Sequence, residues 1–351
     1  MNVWLDFSNS PHPLLFAPVA RRLEEAGHEV VLTARDNAQT VELARERWPT
    51  VEVIGGASPR ARSSKVATIY ERVIELRQWA ARVRPNVALS HNSYAQIAAA
   101  RSLQIPAVTA MDFEHQPANH VAFRLATTVL VPEMLPARAI RRQGAVPAKV
   151  VRYQGLKEEL YVGDFEPDAE ILAKLGIDPR PRIVAVLRTS PTRAVYHSSS
   201  NPLFEATLRA LCAQPGVVCV VLTRHPEQIA AIDGLGLGNC IVPRAAIDSR
   251  SLMYAADVMI GAGGTMTREA TLMGIPTWTL FAGKTPAVDQ WLERHGMLRR
   301  LTRAEQLAGL TPRRTRPRTP EELRDRGELL ADVLVREIVA AGDVSHLAAV
   351  A

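Results

Sequence analysis

The stretch GAGGTMTREATLMGIP, residues 261–276, combines a glycine turn with an acidic side chain in a way that could bind a nucleotide. A helix that starts here would offer the bare amides of Gly263, Gly264 and Thr265, and the positive end of its dipole, to a phosphate. Glu269 repels phosphate, but its carboxylate can accept hydrogen bonds from both hydroxyls of a ribose. The alternative is an ordinary strand–helix turn in which Glu269 only stabilises the start of the helix.

Two series of strand and helix patterns surround this turn. Short β-branched runs alternate with apolar residues at helical spacing, which predicts parallel sheets covered by helices on both faces. The fold class is therefore α/β, with two tandem Rossmann-like domains. We expect them to face a central cleft, because ligands of open parallel sheets gather at the carboxyl ends of the strands. The predicted strands are 3–7, 29–34, 51–54, 87–91, 107–111 and 127–132, then 183–189, 217–223, 239–243, 257–263 and 277–282.

Charge and proline content divide the chain further. Residues 1–155 form the first predicted domain, residues 156–310 the second, and residues 311–351 an Arg/Pro linker with a C-terminal amphipathic helix. The length of 351 residues suits two cores better than one.

Composition restricts the class of protein. The net charge is +6, with 42 basic against 36 acidic residues, yet no aromatic residues alternate with the basic ones as a single-stranded nucleic-acid groove requires. We therefore expect no nucleic-acid partner. There is no basic leader before the first strand and no long uninterrupted apolar stretch, which predicts a cytoplasmic protein. Cys212, Cys219 and Cys240 lack the paired spacing of a metal site, so we expect no metal.

The segment YAADVMIGAGGTMTREATLMGIPTWTL resembles the nucleotide-sugar motif of GT-B glycosyltransferases and of the related non-hydrolysing UDP-N-acetylglucosamine 2-epimerases. The chain is most similar to a family of predicted archaeal and bacterial glycosyltransferases of unassigned function. That likeness also covers DFSNSPHPLLFAPVARRLEEAGHEVVLTAR and SHNSYAQIAAARSLQIPAVTAMDFEH. The resemblance implies that the second domain binds a nucleotide sugar, with UDP favoured, and that the first domain binds the acceptor.

Further donor-binding candidates follow other strands of the second domain. The resemblance places a diphosphate-binding histidine near VLTRHPEQ and main-chain contacts to uracil in VPRAAIDSRSL, while VLRTSPTRAVYH follows the first strand of the domain. Any of these residues could instead be solvated loop residues. The candidates are Arg188, Thr189, Arg224, His225, Arg244 and Ile247.

The first domain should supply the base that deprotonates the acceptor hydroxyl. His12, in NSPHPLL after the first strand, is the first candidate, because an imidazole titrates in a useful range. His12 could instead cap the helix, and Asp112 could be the base. Other side chains predicted to bind the acceptor follow strands of the same domain: Ser10, His91, Asn92, Glu114 and His115.

These patterns favour a metal-independent glycosyltransferase that needs no cofactor, moves a hexosyl or N-acetylhexosaminyl group and inverts C1. The resemblance implies that an epimerase would carry an arginine after the first strand and an aspartate about where Asn92 stands, and neither is present. Epimerisation and nucleotide-sugar binding without turnover remain the alternatives. A lipid-linked acceptor would add peripheral membrane contact through the basic residues 58–65. The acceptor, the sugar and the oligomeric state stay open.

Overall fold

A computed structural model describes residues 1–37, 39–56, 62–178, 182–190, 202–245, 247–313 and 315–350, without the side chains of 62–66 and 344–350. The basic residues 58–61 and most of the loop after residue 190 therefore lie outside the described residues.

The elements alternate along the chain as strand and helix. The strands are β1 Asn2–Phe7, β2 Glu29–Ala34, β3 Glu52–Val53, β4 Val87–His91, β5 Ala107–Ala110, β6 Thr128–Pro132, β7 Val150–Tyr153, β8 Ile183–Arg188, β9 Val217–Leu222, β10 Cys240–Ile241, β11 Val258–Gly261, β12 Thr277–Thr279 and β13 Arg299–Arg300. The helices are α1 His12–Glu25, α2 Thr40–Arg47, α3 Arg62–Val83, α4 Tyr94–Ser102, α5 Asn119–Leu125, α6 Ala137–Arg142, α7 Glu159–Val162, α8 Ile171–Lys174, α9 Pro202–Cys212, α10 Pro226–Asp233, α11 Ser249–Ala255, α12 Thr265–Met273, α13 Ala287–Arg294 and α14 Pro320–Val350.

The first sheet is parallel and has seven strands in the order β3-β2-β1-β4-β5-β6-β7. Its central strands are continuous apolar runs because both faces of a parallel sheet are buried. The core combines β1, β4 and α1 with the apolar side of α14, including Leu330, Leu334 and Ile338. The order of the strands brings the ends of β1, β4 and β5 side by side, which positions the residues that follow them.

The second sheet is parallel and has six strands in the order β10-β9-β8-β11-β12-β13. Its middle strands are the β-branched runs of β8 and β9, which are buried almost throughout. The ends of β8, β9 and β11 are adjacent, so Arg188, the loop after Leu222 and the glycine turn after Gly261 lie at one edge.

The α/β class and the two parallel sheets are confirmed. The structure adds β7 and β13, which the sequence analysis did not predict, and shortens several strands by one to three residues at an end, as with β11 at 258–261 against 257–263. Such trimming is expected where a strand runs into a loop, because periodicity does not mark the last hydrogen-bonded residue.

The chain divides into two compact units. Unit 1 contains Met1–Tyr161, Pro286–Val288 and Asp325–Ala351, and unit 2 contains Val162–Thr285 and Asp289–Arg324. Within the described residues, none of the helices combines the length and the apolar character needed to cross a bilayer.

Candidate functional site

The glycine turn of unit 2 lies where the sequence predicts it, between buried β11 and α12. Gly263 and Gly264 have φ angles of 87° and 94°, in the left-handed region that favours glycine. An added Cβ on Gly263 would lie 2.9 Å from Phe281 Cδ2, whereas on Gly264 the nearest atom would be Arg224 Nη2 at 4.0 Å. No side chain in the described part of the chain caps the first turn of α12, so its amides are available to a ligand.

Two arginines converge beside this turn. Arg188 ends β8 and donates from Nη1 to the Thr223 carbonyl at 2.8 Å, and Arg224 donates from Nε to the Thr189 carbonyl at 3.2 Å. Burial lowers the pKa of Arg188 to about 10, with the charge of Arg224 acting in the same direction and Glu269 opposing it. Burial also lowers the pKa of Arg224. Two guanidinium groups held this close favour an anion between them.

Glu269 lies in the second turn of α12 and is buried, with 7% exposure. Its carboxylate is close enough to Arg188 for the two charges to interact. The structure thus places the predicted acidic side chain beside the arginine end of the site, at the position along α12 that the ribose interpretation requires.

Gln228 holds these loops together and was missed by the sequence analysis. It is 1% exposed, and its Oε1 accepts from the Arg224 amide at 2.8 Å and from Thr189 Oγ1 at 2.8 Å. Its Nε2 donates to the Ser190 carbonyl at 3.2 Å. Buried Thr189 therefore fixes the loop through Gln228. The sequence signal was weak, because a glutamine in the first turn of α10 looks like any surface residue.

The remaining donor candidates are more peripheral within unit 2. Arg244 is exposed and paired with Asp233 at 2.7 Å, and Ile247 is half-buried in the loop before α11. His225 directly precedes α10 and donates its amide to Gln228 Oε1 at 3.3 Å. Their predicted contacts with a nucleotide remain predictions.

A second polar group lies in unit 1, at the ends of β4 and β5. The rings of His12 and His91 are 5.5 Å apart, and His91 Nε2 lies 3.2 Å from Asp112 Oδ1. Asp112 Oδ2 accepts from Lys157 Nζ, which also donates to Glu158 Oε1 at 2.8 Å. The sequence analysis missed Lys157 and Glu158 because they follow β7, which it did not predict.

His12 begins α1 and is held by the backbone before it. The Ser8 amide donates to His12 Nδ1 at 3.2 Å, and the side chain is 4% exposed. Burial, with the charges of His91 and Lys157, lowers the pKa of His12 well below its usual value, while a backbone contact with Asp6 opposes the shift. The folded state therefore favours a neutral ring.

This shift predicts a pH-dependent stability. Since the folded pKa is below the unfolded value, His12 contributes stability that is fully present above about pH 6.5 and is lost as pH falls toward the folded pKa. We expect the free energy of unfolding to fall by up to about 1.4 kcal/mol per pH unit below that point, and His12→Gln to remove this slope. Urea unfolding between neutral and acidic pH measures it. The exposed His120→Gln variant is the control, and an unchanged slope in His12→Gln would refute the assignment.

The other acceptor candidates make mainly structural contacts in unit 1. Glu114 Oε1 accepts from the Ala287 amide at 2.8 Å, and His115 Nε2 lies 3.4 Å from the same oxygen. Ser10 Oγ accepts from the Gln39 amide at 3.3 Å. Asn92 turns the chain after β4 with a φ of 56°, which asparagine tolerates better than most residues. Their predicted role in acceptor binding stays a prediction.

A buried ion pair underlies the end of β1. Asp6 is fully buried, and Arg72 of α3 donates to both of its oxygens at 2.7 and 3.0 Å. Ser93 and Thr33 also donate to Asp6. This network fixes the loops that carry His12 and His91, and the sequence analysis did not detect it because its members are far apart in the chain.

Within the described ranges, no three histidine, cysteine or acidic side chains are arranged to hold a metal ion.

Comparison with known proteins gives three kinds of match. The model of a family described as "Protein of unknown function (DUF354)" matches residues 1–336. An uncharacterized protein of Methanocaldococcus jannaschii is 31% identical over 299 residues, 83% of this chain and 85% of that protein.

Solved structures are similar at the level of the fold. The UDP-GlcNAc 2-epimerase of Neisseria meningitidis, solved bound to UDP-GlcNAc, has a TM-score of 0.70 at 12% identity and covers 96% of this chain and 100% of its own. A glycotransferase of kitacinnamycin has a TM-score of 0.56 at 18% identity, over 97% of this chain and 95% of its own. These likenesses establish a GT-B type of fold.

Proposed function

The chain belongs to the DUF354 family, and from that premise we propose that it is a glycosyltransferase that moves a sugar from a UDP-linked donor to an acceptor hydroxyl. Unit 2 would bind the donor and unit 1 the acceptor. The observation that carries the proposal is the group at the start of α12: an uncapped first turn behind two glycines, two arginines beside it, and Glu269 one turn further in.

Each part of this group matches one part of a nucleoside diphosphate. The amides at Gly264 and Thr265 and the helix dipole suit a phosphate, and Arg188 and Arg224 add positive charge for the second one. The mutual lowering of pKa between these arginines would be relieved by a bound anion, which is a reason for the anion to bind. Glu269 would accept from the ribose hydroxyls.

The same group would stabilise the leaving diphosphate. In glycosyl transfer, the bond between C1 and the phosphate oxygen breaks and its electron pair stays on the diphosphate. Fixed donors aimed at that developing charge lower the barrier without a divalent ion. We therefore keep the proposal metal-independent and inverting, with a hexosyl or N-acetylhexosaminyl donor.

The relatives support the substrate class and leave a second candidate open. The Neisseria meningitidis epimerase was solved with UDP-GlcNAc, and its overall fold is similar to this one. Epimerisation at C2 of UDP-GlcNAc is therefore the alternative. Proton NMR of UDP-GlcNAc incubated with the protein distinguishes them, because an epimerase produces the C2 epimer without an acceptor and a transferase does not.

The donor site is tested by calorimetry with UDP and UDP-GlcNAc. Glu269→Gln keeps the size of the side chain and removes its charge, so we expect Kd for UDP to rise roughly 10- to 100-fold, the loss of one or two charge-assisted hydrogen bonds. Glu205→Gln, the same change on the exposed side of α9, should leave Kd unchanged. Absence of binding by the wild type to any nucleoside diphosphate, or unchanged binding by Glu269→Gln with an intact fold, would refute the proposal.

A further inference from the structure

His91, rather than His12, has the surroundings of a general base. It ends β4, its side chain is 14% exposed, and its Nε2 lies 3.2 Å from Asp112 Oδ1. A ring nitrogen with a bare lone pair would be repelled by this carboxylate, so the proton of the neutral ring belongs on Nε2. That leaves Nδ1 of His91 able to accept a proton.

His12 is poorly suited to that role. Its Nδ1 accepts the Ser8 amide, so a substrate proton cannot reach that nitrogen without breaking the contact. A nitrogen that accepts an N–H carries no proton, so the neutral ring of His12 holds its proton on Nε2. Burial also lowers its pKa well below the usual value, which weakens it as a base. His12 is instead placed to donate.

Asp112 is poorly suited as the base as well. Its Oδ1 faces His91 and its Oδ2 accepts from Lys157. Lys157 is in turn held by Glu158 at 2.8 Å. Asp112 is thus fixed in place and oriented toward His91, the relation that a carboxylate has to the histidine of a hydrolase triad.

Resting on the proposed glycosyl transfer, we propose that His91 is the catalytic base and Asp112 the residue that positions it. The acceptor O–H gives its proton to His91 Nδ1 as the oxygen attacks C1. The bond from C1 to the diphosphate oxygen breaks, and its electron pair leaves with the diphosphate. Asp112 stabilises the imidazolium that forms. His91 Nε2 makes no hydrogen bond among the described residues, so its contact with Asp112 tightens only when substrate binds.

Azide tests this assignment without knowledge of the acceptor, because azide carries no proton and needs no base. UDP release from UDP-GlcNAc is measured with water or with sodium azide as the nucleophile. We expect His91→Gln to slow water-dependent release about 100-fold, within the usual contribution of a general base, and azide to restore at least about a tenth of the lost rate. Kd for UDP should be unchanged.

The matched variant is His12→Gln, which should slow release less than about tenfold, with no rescue by azide. A loss as large as that of His91→Gln, or no rescue of His91→Gln, overturns the assignment. Failure of the proposed function is recognised separately, since the wild type would then not bind UDP at all.

Nitrogen-15 NMR of the histidine rings gives a readout that does not depend on turnover, and it decides the case if the wild type binds UDP but releases none with either nucleophile. We expect the His91 ring in the wild type to hold its proton on Nε2, and Asp112→Asn to shift it toward a mixture of tautomers. The His28 ring, which lies next to the N-terminus, is the internal control. A His91 ring that does not respond to Asp112→Asn contradicts the proposal.

Discussion

Arg72→Leu is expected to lower the free energy of unfolding by about 3–5 kcal/mol, the usual cost of removing one partner from a buried ion pair. Arg72 and Asp6 have side-chain exposures of 3% and 0%. Leucine fills part of the volume but leaves the Asp6 carboxylate buried without its cation. It also removes the donor to the Ile54 carbonyl, which Arg72 Nε holds at 2.9 Å.

Urea unfolding followed by tryptophan fluorescence measures this change, because Trp4 on β1 and Trp79 on α3 have ring centroids 5.2 Å apart. Arg77→Leu, on an exposed position of the same helix, is the control for loss of an arginine and should change stability by less than about 0.5 kcal/mol. The double variant Asp6→Asn/Arg72→Leu should be more stable than Arg72→Leu alone, since it no longer buries a lone charge. A single variant within about 1 kcal/mol of the wild type would contradict the buried-charge account.

Gly264→Val is expected to weaken UDP binding by more than about 100-fold. A β-branched residue at a φ of 94° is strained by about 1–3 kcal/mol, and relief of that strain would turn the amides of the first turn away from the ligand. The side chain would also occupy the open space between the turn and Arg224 that the phosphate needs. Losing the phosphate contacts adds about 1.5–3 kcal/mol to the strain, which together gives this decrease in affinity.

Gly274→Val separates binding from stability. Gly274 follows the last residue of α12 at a φ of 77°, and an added Cβ there would meet no atom within 4 Å. It therefore carries a similar backbone strain at the opposite end of the same helix. Both variants should lose comparable stability in thermal unfolding, but only Gly264→Val should lose UDP binding in calorimetry. Equal binding by the two variants would mean that the start of α12 is not the phosphate site.

The parts of the candidate site that could be predicted from sequence are those that depend on local pattern. The turn at Gly263 and Gly264 was visible because a buried apolar run, two glycines and a helical pattern stand next to one another. Gln228, Lys157 and Glu158 were missed because nothing in their neighbourhood in sequence distinguishes them from surface residues. The roles of His12 and Asp112 depended on partners that their own segments do not contain.

The sequence alone determined that this protein is an α/β chain with two parallel sheets, and that a helix starts at a glycine turn with Glu269 in its second turn. Period and turn chemistry act over a few residues, so they can be read in one pass along the chain. Only the tertiary structure decided which charged groups meet. Asp6 pairs with Arg72, 66 residues away, and Asp112 with Lys157, 45 residues away. Those pairs depend on strand order, since β1 lies beside β4 rather than β3, and local pattern carries no record of that order.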